Sequence, residues 1–363
     1  MRKSFVYRLY PNRVQARELE QMLETHRRLY NDMLDERQLA YDTCGVTIRY
    51  GQQSSRFKHA RKLNKWYAGI NFSSAQATMR RLDKAYQRFF KHGGFPRFRG
   101  RGRFKSVEFP KHGDGCRLKD NRLRLQHVGV VKVKLHRPVE GVIKTIRVKL
   151  DAGKWYVIVS CDLGDAPKPR SGDSIGIDVG LAAFLTDSNG GAVANPKHLR
   201  DAESKLRRSQ RAVSRKTNKR SKRRAKAVRR LQRIYAKVRN QRKDFHHKTA
   251  RVLVDQFAVI AAENLTVKNM VKNRRLAKSI SDAGWSAFLT ILQSKAESAG
   301  SQVILVNPAG TSQECSTCGE IVKKSLSVRV HRCKCGCVLD RDHNAARNIL
   351  ARAEPSNAKV VVG

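Results

Sequence analysis

The sequence predicts a multidomain α+β protein, and three observations carry that class. Its 363 residues, 40% of them hydrophobic, suffice for more than one core. Helical apolar stripes dominate the N-terminal part, and strands alternating apolar with basic residues dominate 131–163. The Pro/Gly segment GDAPKPRSGD (164–173) then marks a domain boundary, beyond which short apolar strands are interleaved with helices.

Residues 3–9 alternate and stop at Tyr10-Pro11, which predicts a strand. Asn12 caps a helix whose stripe is Leu19, Met22, Leu23, Tyr30 and Met33. A second helix is predicted to open at Ser73-Ser74-Ala75-Gln76, a capping-box pattern, with Met79, Leu82, Tyr86 and Phe89 facing inward. The segment GGFPRFRGRGRFKS (93–106) mixes rings that stack on bases with cations that hold phosphates, a composition it shares with solvated loops. Val131, Val133 and Leu135 alternate with lysines. Ile146, Val148 and Leu150 lead through Asp151-Ala152-Gly153 into WYVIVSCDL (155–163), so antiparallel hairpins with one basic face are expected. Past the linker, SIGIDVG (174–180) and LAAFLTD (181–187) read as a strand and its hairpin partner. FAVIAAENL (257–265) and QVILVNP (302–308) read as further strands, and Trp285, Phe288, Leu289 and Leu292 as a helix face.

Charge narrows the partners. With 76 Lys and Arg against 30 Asp and Glu, the formal net charge is +46. Such self-repulsion calls for a polyanion, which fits a nucleic-acid enzyme and equally a ribosomal or chromatin-packing protein. Residues 204–243 hold 19 Lys or Arg and no acid, yet Val228, Leu231, Tyr235 and Val238 keep helical spacing. A basic helical hairpin laid along nucleic-acid backbone is expected there. No run approaches the apolar length of a membrane span and no secretory signal is visible, so a reducing cytoplasm is expected.

Five of the eight cysteines fall within 315–337, a metal pattern rather than a disulfide framework. Cys315-Ser-Thr-Cys318-Gly319 is one zinc knuckle, and Cys333-Lys-Cys335-Gly336-Cys337 supplies the second turn. Four thiolates select one zinc ion. Cys335-Gly336 mirrors Cys318-Gly319, and Cys333 is the expected fourth ligand, with Cys337 or His331 as substitutes.

Three carboxylates carry the chemistry. Asp178 lies in one apolar strand, Glu263 ends another, and Asp342 stands in DRDHNAARNIL, helical from about Asn344. Acids in strands that want burial are costly unless paired or metal-bound. Three carboxylates around two magnesium ions (or manganese) make a site for two-metal phosphodiester hydrolysis. Taken singly, each acid also has an ordinary reading as a cap, turn or strand-end charge.

In order along the chain, GIDVGLAAFLTD, AAENLTVKNM, NPAGTSQECSTCGE and CGCVLDRDHNAARNIL closely resemble the TnpB family of transposon-encoded RNA-guided DNA nucleases. YRLYP and GFPRFRGR extend the resemblance over nearly the whole chain. It implies a RuvC-type, ribonuclease-H-like nuclease domain (169–312 and 338–354) with the basic hairpin at 200–250. A target-nucleic-acid-binding zinc ribbon (313–337) would be inserted in it. A wedge β-barrel would be built from 1–10 and 109–168, with a helical recognition lobe (11–108) between and a tail at 355–363. The resemblance gives Asp178, Glu263 and Asp342 the catalytic role, choosing Asp342 over Asp340. It also implies a transposon-derived guide RNA, a double-stranded DNA target beside a short flanking motif, and one chain per guide in a prokaryotic, nucleoid-associated setting. The shortened second cysteine turn departs from the family pattern. A small type V CRISPR effector shares this core and is the nearest alternative. A guide-independent nuclease on structured DNA leaves the region before 170 unexplained, and a non-cutting repressor would need a broken triad.

Overall fold

The computed structural model describes residues 1–165, 167–325 and 328–353. It divides into two compact units, 1–165 and 166–363, at the expected linker. The tail expected at 355–363 lies outside the described residues.

The first unit runs β1 (Arg2–Tyr10), α1 (Arg13–Cys44), α2 (Tyr50–Leu63), α3 (Lys65–Ala68), α4 (Phe72–His92), β2 (Ser106–Phe109), β3 (Cys116–Lys119), β4 (Arg122–Leu125), β5 (Gly129–Lys134), β6 (Val142–Asp151) and β7 (Lys154–Asp162). Its sheet is ordered β2-β6-β7-β1-β5-β4-β3, with every pairing antiparallel. Alternation sends Phe5, Tyr7, Leu9, Val131, Val133, Val157 and Val159 inward, while Lys132 and Lys134 stay exposed. The end strands β2 and β3 do not pair with each other, yet Phe109 and Leu118 enter the same core. The sheet is therefore curled toward a barrel without backbone closure.

Asn12 caps α1 through a reciprocal pair: its side chain accepts from the Gln15 N–H at 2.8 Å, and the Gln15 side chain accepts from the Asn12 N–H at 3.1 Å. The cap expected at Ser73 is corrected by the structure. The helix starts at Phe72, and the side chain of Asn71 accepts from the Ser74 N–H at 2.9 Å. Ser73 instead donates to Asp114, which also takes Asn71 Nδ2 at 2.7 Å. A long-range carboxylate thus claims the serine that local pattern assigned to capping.

The second unit runs β8 (Ser174–Asp178), β9 (Ala183–Asp187), β10 (Ala192–Ala194), α5 (His198–Ser214), α6 (Lys222–Gln256), β11 (Val259–Glu263), α7 (Val267–Met270), α8 (Ala277–Ala283), α9 (Trp285–Ala299), β12 (Gln302–Val306), β13 (Val330–Arg332), β14 (Val338–Asp340) and α10 (Arg341–Ala353). The main sheet is ordered β10-β9-β8-β11-β12. The first three strands are antiparallel, and β8, β11 and β12 are parallel. Ile175, Ile177, Ile260 and Ala262 pack on one face with Leu253 and Val254 of α6 and Phe288 and Leu292 of α9. On the other face Ala261 and Val306 meet Ile349 of α10. Burial on both faces explains why the central strands read as continuous apolar runs.

Candidate active site and metal centre

Strand periodicity decides where the two strand acids point. Ile175 and Ile177 share the α6/α9 face, so Gly176 and Asp178 face α10. Ile260 and Ala262 do likewise on β11, so Ala261 and Glu263 face α10. The strands are parallel, with Ile177 opposite Ala262, and their C-terminal ends bring Asp178 beside Glu263. Gly176 lets the helix come close: a Cβ there would stand 2.1 Å from the Ala346 carbonyl oxygen. The first turn of α10 thereby carries Asp342 to the same strand ends, where a Cβ on Gly180 would lie 3.7 Å from its Oδ2.

The three predicted acids are therefore brought together, and each is half-buried. Burial first, then the charges of Glu263 and Asp342, pushes the Asp178 carboxyl up to about 8. Glu263 is raised by burial, opposed by the Thr311 hydroxyl and by Arg352. Asp342 is raised by burial and by Asp340, opposed by Arg329 and Arg341. A cluster of carboxylates that resists carrying its full charge is the donor set a divalent cation satisfies. Their oxygens do not all converge within 4.8 Å; among the described residues only cysteine and histidine sets do.

Asp340 has a different task. Its Oδ1 accepts from the backbone N–H groups of Asp342 at 2.8 Å and His343 at 3.3 Å, capping α10.

The sulfurs of Cys315, Cys318, Cys333 and Cys335 all lie within 4.8 Å of one another, with Cys315–Cys335 at 3.7 Å and Cys318–Cys333 at 3.5 Å. Four sulfurs about 2.3 Å from one ion stand about 3.8 Å apart in a tetrahedron, so the set fits zinc. Gly319 (φ +79°) and Gly336 (φ +88°) supply the left-handed turns behind Cys318 and Cys335. Burial opposes ionisation of Cys315, but the backbone N–H groups of Cys318 and Thr317, with His331 and Cys335, outweigh it and bring the thiol down to about 5. Cys315 also belongs to a second set with His331 and Cys337. His331 is fully buried, and its Nδ1 contacts the Lys324 ammonium.

The residues that join these two clusters form no motif in the sequence. Asn344, Asn348 and Arg352 form an i, i+4, i+8 stripe on α10 that clasps residues 307–316. Asn344 donates to the Glu314 carbonyl at 2.7 Å and accepts from the Ser316 N–H at 3.0 Å. Asn348 Nδ2 donates to the Thr311 and Glu314 carbonyls at 2.8 and 2.7 Å. Arg352 reaches the Asn307 and Ala309 carbonyls at 2.8 Å and the Glu314 carboxylate at 2.6 Å. Thr311, buried in that segment, donates to Glu263 Oε1 at 2.5 Å. The four-residue spacing was visible; the loop it meets was not.

The expected basic hairpin is present as α5 and α6, tied by Gln210 Nε2 donating to the Tyr235 hydroxyl at 2.7 Å. A groove of about 840 Å³ between the helices is lined by Arg208, Lys216, Arg223, Lys226, Arg230 and Arg233, among others.

Residues 146–274 match the family described as "Probable transposase", residues 285–349 the "Cas12f1-like, TNB domain" and residues 1–45 a "Helix-turn-helix domain". Over 1–45 the structure has β1 and the single helix α1, not two helices about a turn. A protein of Streptomyces pristinaespiralis named "Putative RNA-guided DNA endonuclease" is 34% identical over 368 residues, covering 99% of this chain and 91% of that protein. "Putative RNA-guided DNA endonuclease InsQ" of Escherichia coli (strain K12) is 31% identical over 373 residues, covering 96% and 92%. Among solved structures, a chain of the "Cryo-EM structure of the Cas12f1-sgRNA-target DNA complex" shares the fold, with a TM-score of 0.59 at 16% identity, over 94% of this chain and 83% of that one.

Proposed function

The chain belongs to the TnpB family of RNA-guided DNA endonucleases, and from that premise we propose that it cuts guide-matched double-stranded DNA at Asp178, Glu263 and Asp342. One observation carries the assignment: two neighbouring parallel strands and the first turn of α10 present three carboxylates whose burial and mutual repulsion favour a bound cation. The strand order, three antiparallel and two parallel, supports a RuvC-type, ribonuclease-H-like domain. Two magnesium ions, or manganese, would supply water activation and leaving-oxygen stabilisation for phosphodiester hydrolysis. The chain's own part is to hold three carboxylates at fixed positions, with Thr311 and Arg352 supporting the ionised form of Glu263.

Zinc at Cys315, Cys318, Cys333 and Cys335 would fold a ribbon at 313–337 that contacts target nucleic acid. The curled sheet serves as the wedge domain and α1–α4 as the recognition lobe. The α5–α6 groove holds backbone phosphate of a transposon-derived guide RNA, one guide to one chain, in a prokaryotic cytoplasm. Among the described residues no helix is long and apolar enough to cross a membrane. The Cas12f1 likeness favours a type V CRISPR effector as the second reading, which a neighbouring repeat array instead of a transposon end would establish.

The test is to express the chain with its native flanking DNA, sequence the copurified RNA, and programme cleavage with it. Sequence-matched cutting that needs magnesium is expected. Cutting that ignores the guide, or persists in chelator, would falsify the reading.

A further inference from the structure

We propose that Thr311 is a positioning residue for the nuclease reaction: its hydroxyl holds one oxygen of Glu263 and leaves the other for a divalent cation. The inference rests on the catalytic reading of Glu263. Thr311 is 3% exposed, so its hydroxyl must find a partner within the protein. Two acceptors are in reach, Glu263 Oε1 at 2.5 Å and the Pro308 carbonyl at 3.1 Å. One O–H cannot fully serve both, and an ionised carboxylate is the stronger acceptor. Glu263 carries a long side chain at the end of β11, where free rotamers would scatter its oxygens. A single bond to a buried, immobile donor removes that freedom.

Thr311 is itself immobilised. Its carbonyl accepts from Asn348 Nδ2 at 2.8 Å, and the same amide holds the carbonyl of Glu314, next to the metal-site residue Cys315. Helix α10 thus carries Asp342 directly and steers Glu263 through the loop it clasps. The geometry of both acids is referred to one rigid element. Partners of this kind that orient a metal ligand typically alter metal affinity by about 10–100-fold when removed.

The experiment compares Thr311→Val and Thr311→Ser, with Thr311→Ala as a smaller variant should valine fail to fold. Glu263→Ala is run beside them. Mn²⁺ binding to each guide-loaded protein is measured by titration calorimetry, independently of cleavage. Zinc content, target binding and the magnesium concentration for half-maximal cleavage are measured in parallel. The Val and Ala variants are expected to bind Mn²⁺ about tenfold more weakly and to need correspondingly more magnesium, with zinc and target binding unchanged. Serine, which keeps the hydroxyl, should restore both. Unchanged Mn²⁺ affinity in the Val and Ala variants overturns the proposal, as does loss of zinc or target binding along with it, which would make Thr311 merely structural. If Glu263→Ala cuts normally, the catalytic reading itself fails, an outcome distinct from a Glu263-dependent enzyme that ignores Thr311.

Discussion

The Ala346 carbonyl oxygen sits 2.1 Å from where a Cβ on Gly176 would be, so β8 and α10 touch backbone to backbone. Gly176→Ala must push the helix off the strand, and with it Asp342 away from Asp178. Overpacking of this kind costs about 1–3 kcal/mol or more. The expected outcome is a lower denaturation midpoint and a cleavage loss far larger than the stability loss explains. Full cleavage in the alanine variant would show that the contact is dispensable.

Asp178→Ala, Glu263→Ala and Asp342→Ala should each reduce cleavage by several orders of magnitude, because groups acting as one unit fail together. Guide and target binding should hold or tighten slightly, since each variant removes negative charge near phosphate. Asp340→Ala loses the cap of α10, about 1 kcal/mol, and should keep more activity than Asp342→Ala. Parallel binding and cleavage assays separate the two effects. If target binding vanishes with cutting, the acids hold the fold instead.

Metal-free stability should fall as pH rises. The Asp178 carboxyl is raised from 3.8 to about 8, so the folded state holds a proton that the unfolded chain releases. Its contribution is complete below about 4 and is lost toward 8, at no more than about 1.4 kcal/mol per pH unit for one proton. Glu263 and Asp342 shift in the same direction. Magnesium should flatten the profile, and Asp178→Asn should flatten it without magnesium. Denaturant midpoints from pH 5 to 8, with chelator and with magnesium, measure this. A flat chelator profile in the unmodified protein contradicts it.

One zinc per chain is expected, with Cys318→Ser and Cys335→Ser both losing it. Cys333→Ser should lose zinc and Cys337→Ser should retain it, because only Cys333 joins the four-sulfur set. Elemental analysis decides. Retention by Cys333→Ser with loss by Cys337→Ser would transfer the fourth place to the set that includes His331.

Guide affinity should fall steeply with salt, and Arg208→Gln or Arg230→Gln should each lower the slope of log affinity against log salt by about 1. Filter binding across a salt series reads both values. Unchanged slopes would remove the α5–α6 groove from the guide contact.

Much of this was legible in local pattern. Acids interrupting SIGIDVG and FAVIAAEN stand out because buried strands exclude charge, but pattern alone leaves each an ordinary cap, turn or strand-end reading and only the family resemblance singles out the three together; the linker and paired cysteine turns follow from turn and ligand chemistry. The C-x-C turn left its fourth ligand open, because spacing cannot say which sulfur turns inward. Helices α2 and α3 escaped because their segment is polar, with little of an apolar stripe. The Ser73 cap was misread because Asp114, distant in sequence, competes for its hydroxyl. Thr311 and the Asn344–Asn348–Arg352 stripe were invisible for a related reason: their partners are backbone carbonyls and a strand-end acid that only folding brings near.

The order of the acids along the chain sets the order in which competence is acquired during synthesis. The basic hairpin α5–α6 precedes β11, the cysteine knuckles and α10. A nascent chain therefore carries the residues of its most cationic surface while Asp342, the Asp340 cap and the clasp on Thr311 are still to be made. On the proposed reading, the helices offered to guide RNA are made before the helix that completes the acidic site.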